Sequence, residues 1–269
     1  MTQLEPRLPL RHALVLGLVH GPTELLPVSS SAHTALLPRL AGWPAAELDP
    51  EQAKTLEVAL HAGAALELAL ALRAVLWAEL RRLDRRRLGV LALSLAPPAL
   101  VGYALEGPIE RRLGGPRTVA FGLAAGGLAM AVADLRGLRT RTVEDAGPCD
   151  GLLLGLAQAL ALLPGVSRNG ATLTAARARG FTRADSQALS WLIALPVLLG
   201  AAALKGRRLA QRGVPPGLGA PLGAGAGAAF VSTLACSPLV APGRRSRSLL
   251  PFSLYRGALA ALVIRARVS

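Results

Sequence analysis

"LGLVHGPTELLPVSSS", Leu16 to Ser31, returns in the second half of the chain as "LGLAQALALLPGVSRN", Leu154 to Asn169. Both phrases open on Leu-Gly-Leu and reach Leu-Leu-Pro at nearly the same spacing, with one gap. Both end in a proline-flanked group of hydroxyls and other hydrogen-bonding side chains. Each reads as a short apolar helix, a break at Leu-Leu-Pro, and a second short helix opening on serine. Neither phrase is long enough to cross a bilayer twice, so each is expected to form a re-entrant hairpin. Non-helical backbone at membrane depth is tolerated only where protein buries it or where it lines a wet cavity. Internally repeated membrane proteins build their sites where such discontinuous helices meet.

The rest of the chain supplies the membrane setting. Of 269 residues, 52% are hydrophobic and only 17% charged, against about a quarter charged in a soluble domain. Apolar runs that approach a bilayer-spanning length cover Leu88–Leu105, Val119–Leu135, Ala188–Leu204 and Leu218–Val240, with Thr55–Leu80 and Leu249–Ile264 also expected to span. The expected fold is all-α: a polytopic membrane protein, an inverted repeat of transmembrane helices with two re-entrant helical hairpins. The polar stretch "RGLRTRTVEDAGPCD" (Arg136–Asp150) separates a first repeat, 1–145, from a second, 146–269, within one integrated membrane domain.

The net charge of +14 is nearly all arginine. It sits between apolar runs, in "RRLDRRR" (Arg81–Arg87), "KGRRLAQR" (Lys205–Arg212) and "RRSR" (Arg244–Arg247). That is the distribution of membrane-flanking charge, and no basic soluble domain is left to bind nucleic acid. The bias places 81–87, 136–141 and 205–212 on the cytoplasmic side, with 111–117 and 244–247 opposing that assignment. Cys149 and Cys236 lack metal or redox spacing and read as incidental.

The two phrases carry the chemistry. In "PGVSRNGATL" (Pro164–Leu173), Pro-Gly breaks the chain and Ser167 or Asn169 can cap the next helix. Arg168 then lies at a helix N-terminus, where unpaired N–H groups favour an anion and a guanidinium grips phosphate oxygens in pairs. Gly170 permits close approach and Thr172 adds a hydroxyl. In the first phrase, Ser30 and His33 share a helical face, as do His20 and Glu24. A serine near an imidazole suits nucleophile and base. A buried carboxylate at a phosphate site suits a divalent-metal ligand. Ser29 reads best as a helix cap. Together the set suits phosphoryl transfer.

These residues also carry a resemblance. "GLVHGPTELLPVSSSAH" from Gly17 is similar to the first motif of the undecaprenyl-diphosphatase family, the bacitracin-resistance type of membrane phosphatase, G-[VI]-[VI]-[EQ]-G-x-T-E-[FL]-L-P-[VI]-S-S-[ST]-G-H. "PGVSRNGAT" from Pro164 resembles its second motif, P-G-[VIF]-S-R-S-G-A-T. "ALHAGAALELAL" from Ala59, "ALSWLIALPVLLGA" from Ala188 and "LLPFSLYRGALA" from Leu249 extend the likeness over essentially the whole chain. The resemblance implies hydrolysis of undecaprenyl diphosphate, recycling the lipid carrier of peptidoglycan and other envelope glycans. It implies a multi-pass protein of the cell (inner) membrane with its site toward the extracytoplasmic side, partnered by the prenyl diphosphate and membrane lipids, with a homodimer as an open assembly. It implies a divalent cation, Mg²⁺ or Ca²⁺, on Glu24 with His20. Ser30, His33, Glu24 and Arg168 would be catalytic. Ser29, Ser167, Arg168, Asn169, Gly170 and Thr172 would bind phosphate. The choice of Ser30 or His33 as nucleophile stays open.

Three positions depart from the motifs: His20 replaces the first Glu/Gln, Asn169 a serine, and Ala32 a glycine. His20 breaks the carboxylate pair, so an impaired paralogue is one alternative. A transporter or flippase of an anionic or lipid-phosphate substrate is another, since broken helices also suit carriers. An acid-phosphatase type of lipid phosphatase is excluded, because Thr174 stands where its motif needs histidine.

Overall fold

The computed structural model describes residues 8–136, 139–214, 216–239 and 248–266. The basic group Arg244–Arg247 lies outside them. The described residues form eleven α-helices and short 3-10 turns. Helix α1 (Leu10–Leu25) and α2 (Ser30–Leu40) form the first hairpin, followed by α3 (Pro50–Ala71) and α4 (Arg73–Arg81). The long α5 (Arg85–Leu113) and α6 (Pro116–Leu135) complete the first half. The second half has the hairpin α7 (Pro148–Leu160) and α8 (Arg168–Ala178), then α9 (Arg183–Arg212), α10 (Gly219–Cys236) and α11 (Leu250–Arg265).

Local chemistry sets these boundaries. Asp49 Oδ1 accepts from the backbone of Glu51 and Gln52 at 2.9 and 3.0 Å, with Pro50 at the first turn, and so starts α3. Asp84 caps α5 through Arg87 N at 2.7 Å. Pro116 and Pro148 open α6 and α7 in the position where a missing N–H costs nothing. Helix α1 packs closely on α10. A Cβ at Gly17 or Gly21 would collide with the α10 backbone around Gly225 and Ser232, and Ser232 Oγ donates to the Gly17 carbonyl at 3.0 Å.

Among the described residues, four helices are long and apolar enough to cross a membrane: Arg85–Leu105, Pro116–Leu135, Arg183–Leu204 and Gly219–Cys236. This is a polytopic helical membrane protein. Two expected spans differ. Thr55–Leu80 is broken at Leu72 into α3 and α4. The run 249–264 gives a helix of 16 residues, shorter than a typical span.

In each hairpin the two ends meet. For the first, the ring of His12 near the start of α1 stacks on Trp43 just beyond α2, 4.2 Å between centroids. For the second, Arg141 and Arg179 both grip Asp150 at the start of α7, and Arg141 donates to the Arg179 carbonyl beyond the end of α8. The same end holds Asp134 at the close of α6. Its buried carboxylate takes two bonds from Arg183 (2.7 and 2.8 Å), with Ser248 Oγ at 3.0 Å, Leu249 N at 2.9 Å and Arg177 Nε at 3.2 Å. Arg87 at the start of α5 joins it through Glu144, 3.9 Å away.

One consequence corrects the expected charge topology. Helix α9 leaves this basic end at Arg183 and runs 30 residues, roughly 45 Å. The 205–212 stretch is therefore at the far end from 81–87 and 136–141, where the charge pattern had grouped all three. A charge count cannot see how the helices between these stretches place their ends.

Candidate active site

Both breaks end on a serine in a backbone conformation that side chains avoid. Ser29 (φ 75°) and Ser167 (φ 68°) are the sole non-glycine residues with positive φ among the described residues. Such geometry costs on the order of 1–3 kcal/mol and persists only where surroundings impose it. Here each serine caps the next helix. Ser29 Oγ accepts from Ala32 N at 3.4 Å, and Ser167 Oγ from Gly170 N at 3.2 Å. The sharp reversal turns the N-termini of α2 and α8 toward one cavity of about 1110 Å³.

Arg256 on α11 holds the two breaks together. Its guanidinium is fully enclosed and donates to Gly165 and Val166 of the second break (3.1 and 2.8 Å) and to Pro27 of the first (3.4 Å). It also reaches the Gly122 and Leu123 carbonyls of α6, both at 3.2 Å. Five carbonyls thus share one cation.

Glu24, buried near the end of α1, is the centre of the polar groups. Ser30 Oγ donates to its Oε2 at 2.5 Å, and Arg168 Nη2 donates to Oε1 at 2.6 Å. His61 Nε2 and His20 Nε2 lie 3.4 and 3.8 Å from Oε2. Asn169 Nδ2 donates to the Leu25 carbonyl at 2.9 Å and its Oδ1 accepts from Ser190 at 3.0 Å, which locks α8 against α1. The second guanidinium nitrogen of Arg168, Nη1, is buried and has no partner. An unpaired charged donor beside two helix N-termini suits an anion.

The predicted residues do not all line the cavity. Glu24, Ser29, Ser30, Ser167, Arg168 and Asn169 line the cavity. Gly170 and Thr172 do not. Thr172 is fully buried with its hydroxyl against Ser190 (2.6 Å) and the Arg168 and Asn169 carbonyls. A Cβ at Gly170 would run into the Arg256 guanidinium, so this glycine makes room for that side chain. Both therefore shape α8 from behind the cavity wall. Glu67 is likewise buried away from the cavity.

His33 also departs from expectation. It shares a face with Ser30 yet makes no bond to it. Nδ1 lies 2.7 Å from the Ser29 carbonyl, so it is the donor, and Nε2 then accepts from Tyr255 at 2.6 Å. The base in contact with Ser30 is Glu24.

His61 was missed by sequence reasoning. It stands alone in "ALHAGAALELAL", and no spacing in the sequence ties it to Glu24. A histidine in an apolar run was the available signal. Arg256 was missed likewise, inside "LLPFSLYRGALA".

A cation at Glu24 would meet Oε2 and the imidazoles of His20 and His61, whose donor atoms all lie within 4.8 Å of one another. That is one oxygen and two nitrogens. Mg²⁺ and Ca²⁺ are oxygen-seeking ions, so the donor set does not fit the cation expected from the resemblance.

The bacitracin resistance protein BacA family matches residues 13–262. The chain is 40% identical over 257 residues to an undecaprenyl-diphosphatase of Geobacter sulfurreducens, covering 91% of this chain and 93% of the relative. It is 40% identical over 266 residues to one of Geobacter metallireducens, with the same coverage. Undecaprenyl-diphosphatase 1 of Rhodospirillum rubrum is 38% identical over 264 residues, 93% of each chain.

Proposed function

The chain belongs to the bacitracin resistance protein BacA family, and on that premise we propose how its cavity performs the family's reaction. The protein is an undecaprenyl-diphosphatase. It releases inorganic phosphate from undecaprenyl diphosphate and returns undecaprenyl phosphate to peptidoglycan and envelope glycan synthesis. The observation that carries the site assignment is the pairing of a buried, unpartnered donor on Arg168 with a serine hydroxyl 2.5 Å from a carboxylate.

In this reading, Arg168 Nη1 and the N-termini of α2 and α8 hold the terminal phosphoryl oxygens. Ser30 Oγ attacks the terminal phosphorus while its proton passes to Glu24 Oε2. The bond from phosphorus to the bridging oxygen breaks, Glu24 hands its proton to that oxygen, and undecaprenyl phosphate leaves. Water then attacks the phosphoserine: Glu24, again a carboxylate, takes a proton from that water and returns it to Ser30 Oγ as phosphate departs. Arg168 offsets charge on the equatorial oxygens, the usual source of rate in phosphoryl transfer. His33 keeps the Ser29 turn in place through the bond from its Nδ1. No step here uses a metal.

The hairpins are read as re-entrant, and the repeats as inverted, because their ends close on opposite ends of the bundle. The cavity runs from Glu24 and Arg168 to Gly114, Gly115 and Gly213, the end remote from Asp134 and Asp150. With the denser arginine group (81–87 and 136–141) cytoplasmic, the cavity opens on the extracytoplasmic side of the cell membrane.

The test is phosphate release from undecaprenyl diphosphate by the purified protein in detergent, beside Ser30→Ala and Arg168→Ala. Release that both substitutions abolish is expected. A folded protein that binds the lipid and releases nothing would instead be a carrier.

A further inference from the structure

We propose that His20, Glu24 and His61 form a binding site for an imidazole-preferring divalent transition ion of the zinc class. The argument starts from hydrogens. His61 Nδ1 lies 2.9 Å from the Glu57 carbonyl. A carbonyl only accepts, so Nδ1 carries the proton, and in the neutral ring Nε2 presents a lone pair. That lone pair faces Glu24 Oε2 at 3.4 Å. In that neutral form two electron-rich atoms are held close with no proton between them, the arrangement a cation relieves.

His20 adds a third. It is 1% exposed, and neither ring nitrogen has a hydrogen-bond partner. A buried imidazole with both nitrogens idle is costly. Its Nε2 is 3.8 Å from the same Oε2, and its ring meets that of His61 edge-on, 4.4 Å between centroids. An ion bound at about 2.0–2.2 Å to nitrogen and oxygen would satisfy all three atoms after small side-chain adjustment.

Two imidazoles and one carboxylate form the donor set of open zinc sites, with a position left for solvent or substrate. Nitrogen ligands select against Mg²⁺ and Ca²⁺ and favour the later first-row ions. The Glu57 carbonyl behind His61 is the kind of outer partner that fixes a ligating ring. Lys54 and Arg168 are the cations that also border this part of the cavity, and Arg168 engages the other oxygen of Glu24, Oε1. The ion would share Glu24 Oε2 with the proton transfer from Ser30, and because uptake is measured without substrate, failure of this inference and failure of the hydrolase reading are distinguishable.

The experiment titrates the EDTA-stripped full chain in detergent with Zn²⁺, Co²⁺, Mg²⁺ and Ca²⁺ by calorimetry, with the visible spectrum of Co²⁺ as a second readout. One Zn²⁺ per chain is expected, bound at least about 100-fold more tightly than Mg²⁺, and Co²⁺ should show the absorption of a nitrogen-ligated site. His61→Gln and His20→Gln should each weaken Zn²⁺ by about 10- to 100-fold or more. His12→Gln, whose ring stacks on Trp43 instead, should leave the titration unchanged. His61 borders the cavity, so its variant serves if the buried His20 variant fails to fold. Absent Zn²⁺ uptake, uptake indifferent to His61→Gln, or Mg²⁺ binding as tightly as Zn²⁺ each overturns the proposal.

Discussion

Arg168 Nη2 and Glu24 Oε1 lie 2.6 Å apart although 144 positions separate them in the chain. The pair joins the second hairpin to the first and leaves Nη1 free for an anion. Arg168→Ala removes both the tie and the phosphate donor, and kcat/KM for phosphate release should fall by about 10²–10³-fold or more. Arg168→Lys restores charge without the fork and should recover less than about a tenth of the activity. Full recovery by lysine would mean that a point charge suffices and that the two-nitrogen geometry is irrelevant.

Ser30 and His33 make separable predictions. Because Ser30 bonds to Glu24 and His33 to Tyr255, Ser30→Ala and Glu24→Gln should each cost on the order of 10⁴-fold in kcat. Tyr255→Phe removes only the outer donor to His33 and should cost less than about tenfold. His33→Ala should fall between these limits, since it also frees the Ser29 turn. Single-turnover phosphate release would measure all four. An acid-stable phosphorylated intermediate on Ser30 would be expected, and an acid-labile, alkali-stable one on His33 would reverse the assignment.

The breaks and most cavity residues were legible in the sequence because each depends on local chemistry. Proline before serine signals a break and a cap, and Arg168 beside that cap signals an anion site. Thr172 looked equivalent to Ser167 in that reading, but helical rotation turns it onto Ser190. His61 and Arg256 were illegible for another reason. Their partners lie on other helices, and a polar residue in an apolar run declares only that some partner exists. The lysine and arginine count misplaced 205–212 because it cannot see that the 30-residue α9 carries the chain from the Arg183 end to the opposite one.

Arg256 should matter more for stability than any exposed arginine. Replacing it with methionine keeps the volume but strips a charged donor from five carbonyls in three segments. Unsatisfied buried carbonyls cost about 1–3 kcal/mol each and do not add simply. A loss of roughly 3 kcal/mol or more is expected, read as a lowered thermal midpoint in detergent. Arg265→Ala, at the exposed end of α11, should leave the midpoint unchanged. Equal midpoints for both variants would show that the breaks hold their shape without the shared cation.

Ser167 tests whether the break is strained. Its backbone sits at φ 68°, ψ 117°, where glycine is at ease and alanine is not. Ser167→Ala loses the cap, worth about 1 kcal/mol, and keeps the strain. Ser167→Gly loses the same side chain but relaxes the backbone, and glycine is the milder replacement at a cap by this scale. The glycine variant should therefore be more stable than the alanine variant by about 1 kcal/mol, opposite to the usual order inside a helix. Activity gives an independent reading. Ser167 lines the cavity, so a folded Ser167→Gly that keeps stability yet loses about tenfold in kcat/KM assigns the hydroxyl to phosphate as well as to the cap. Unchanged activity in that variant would confine Ser167 to turning the chain.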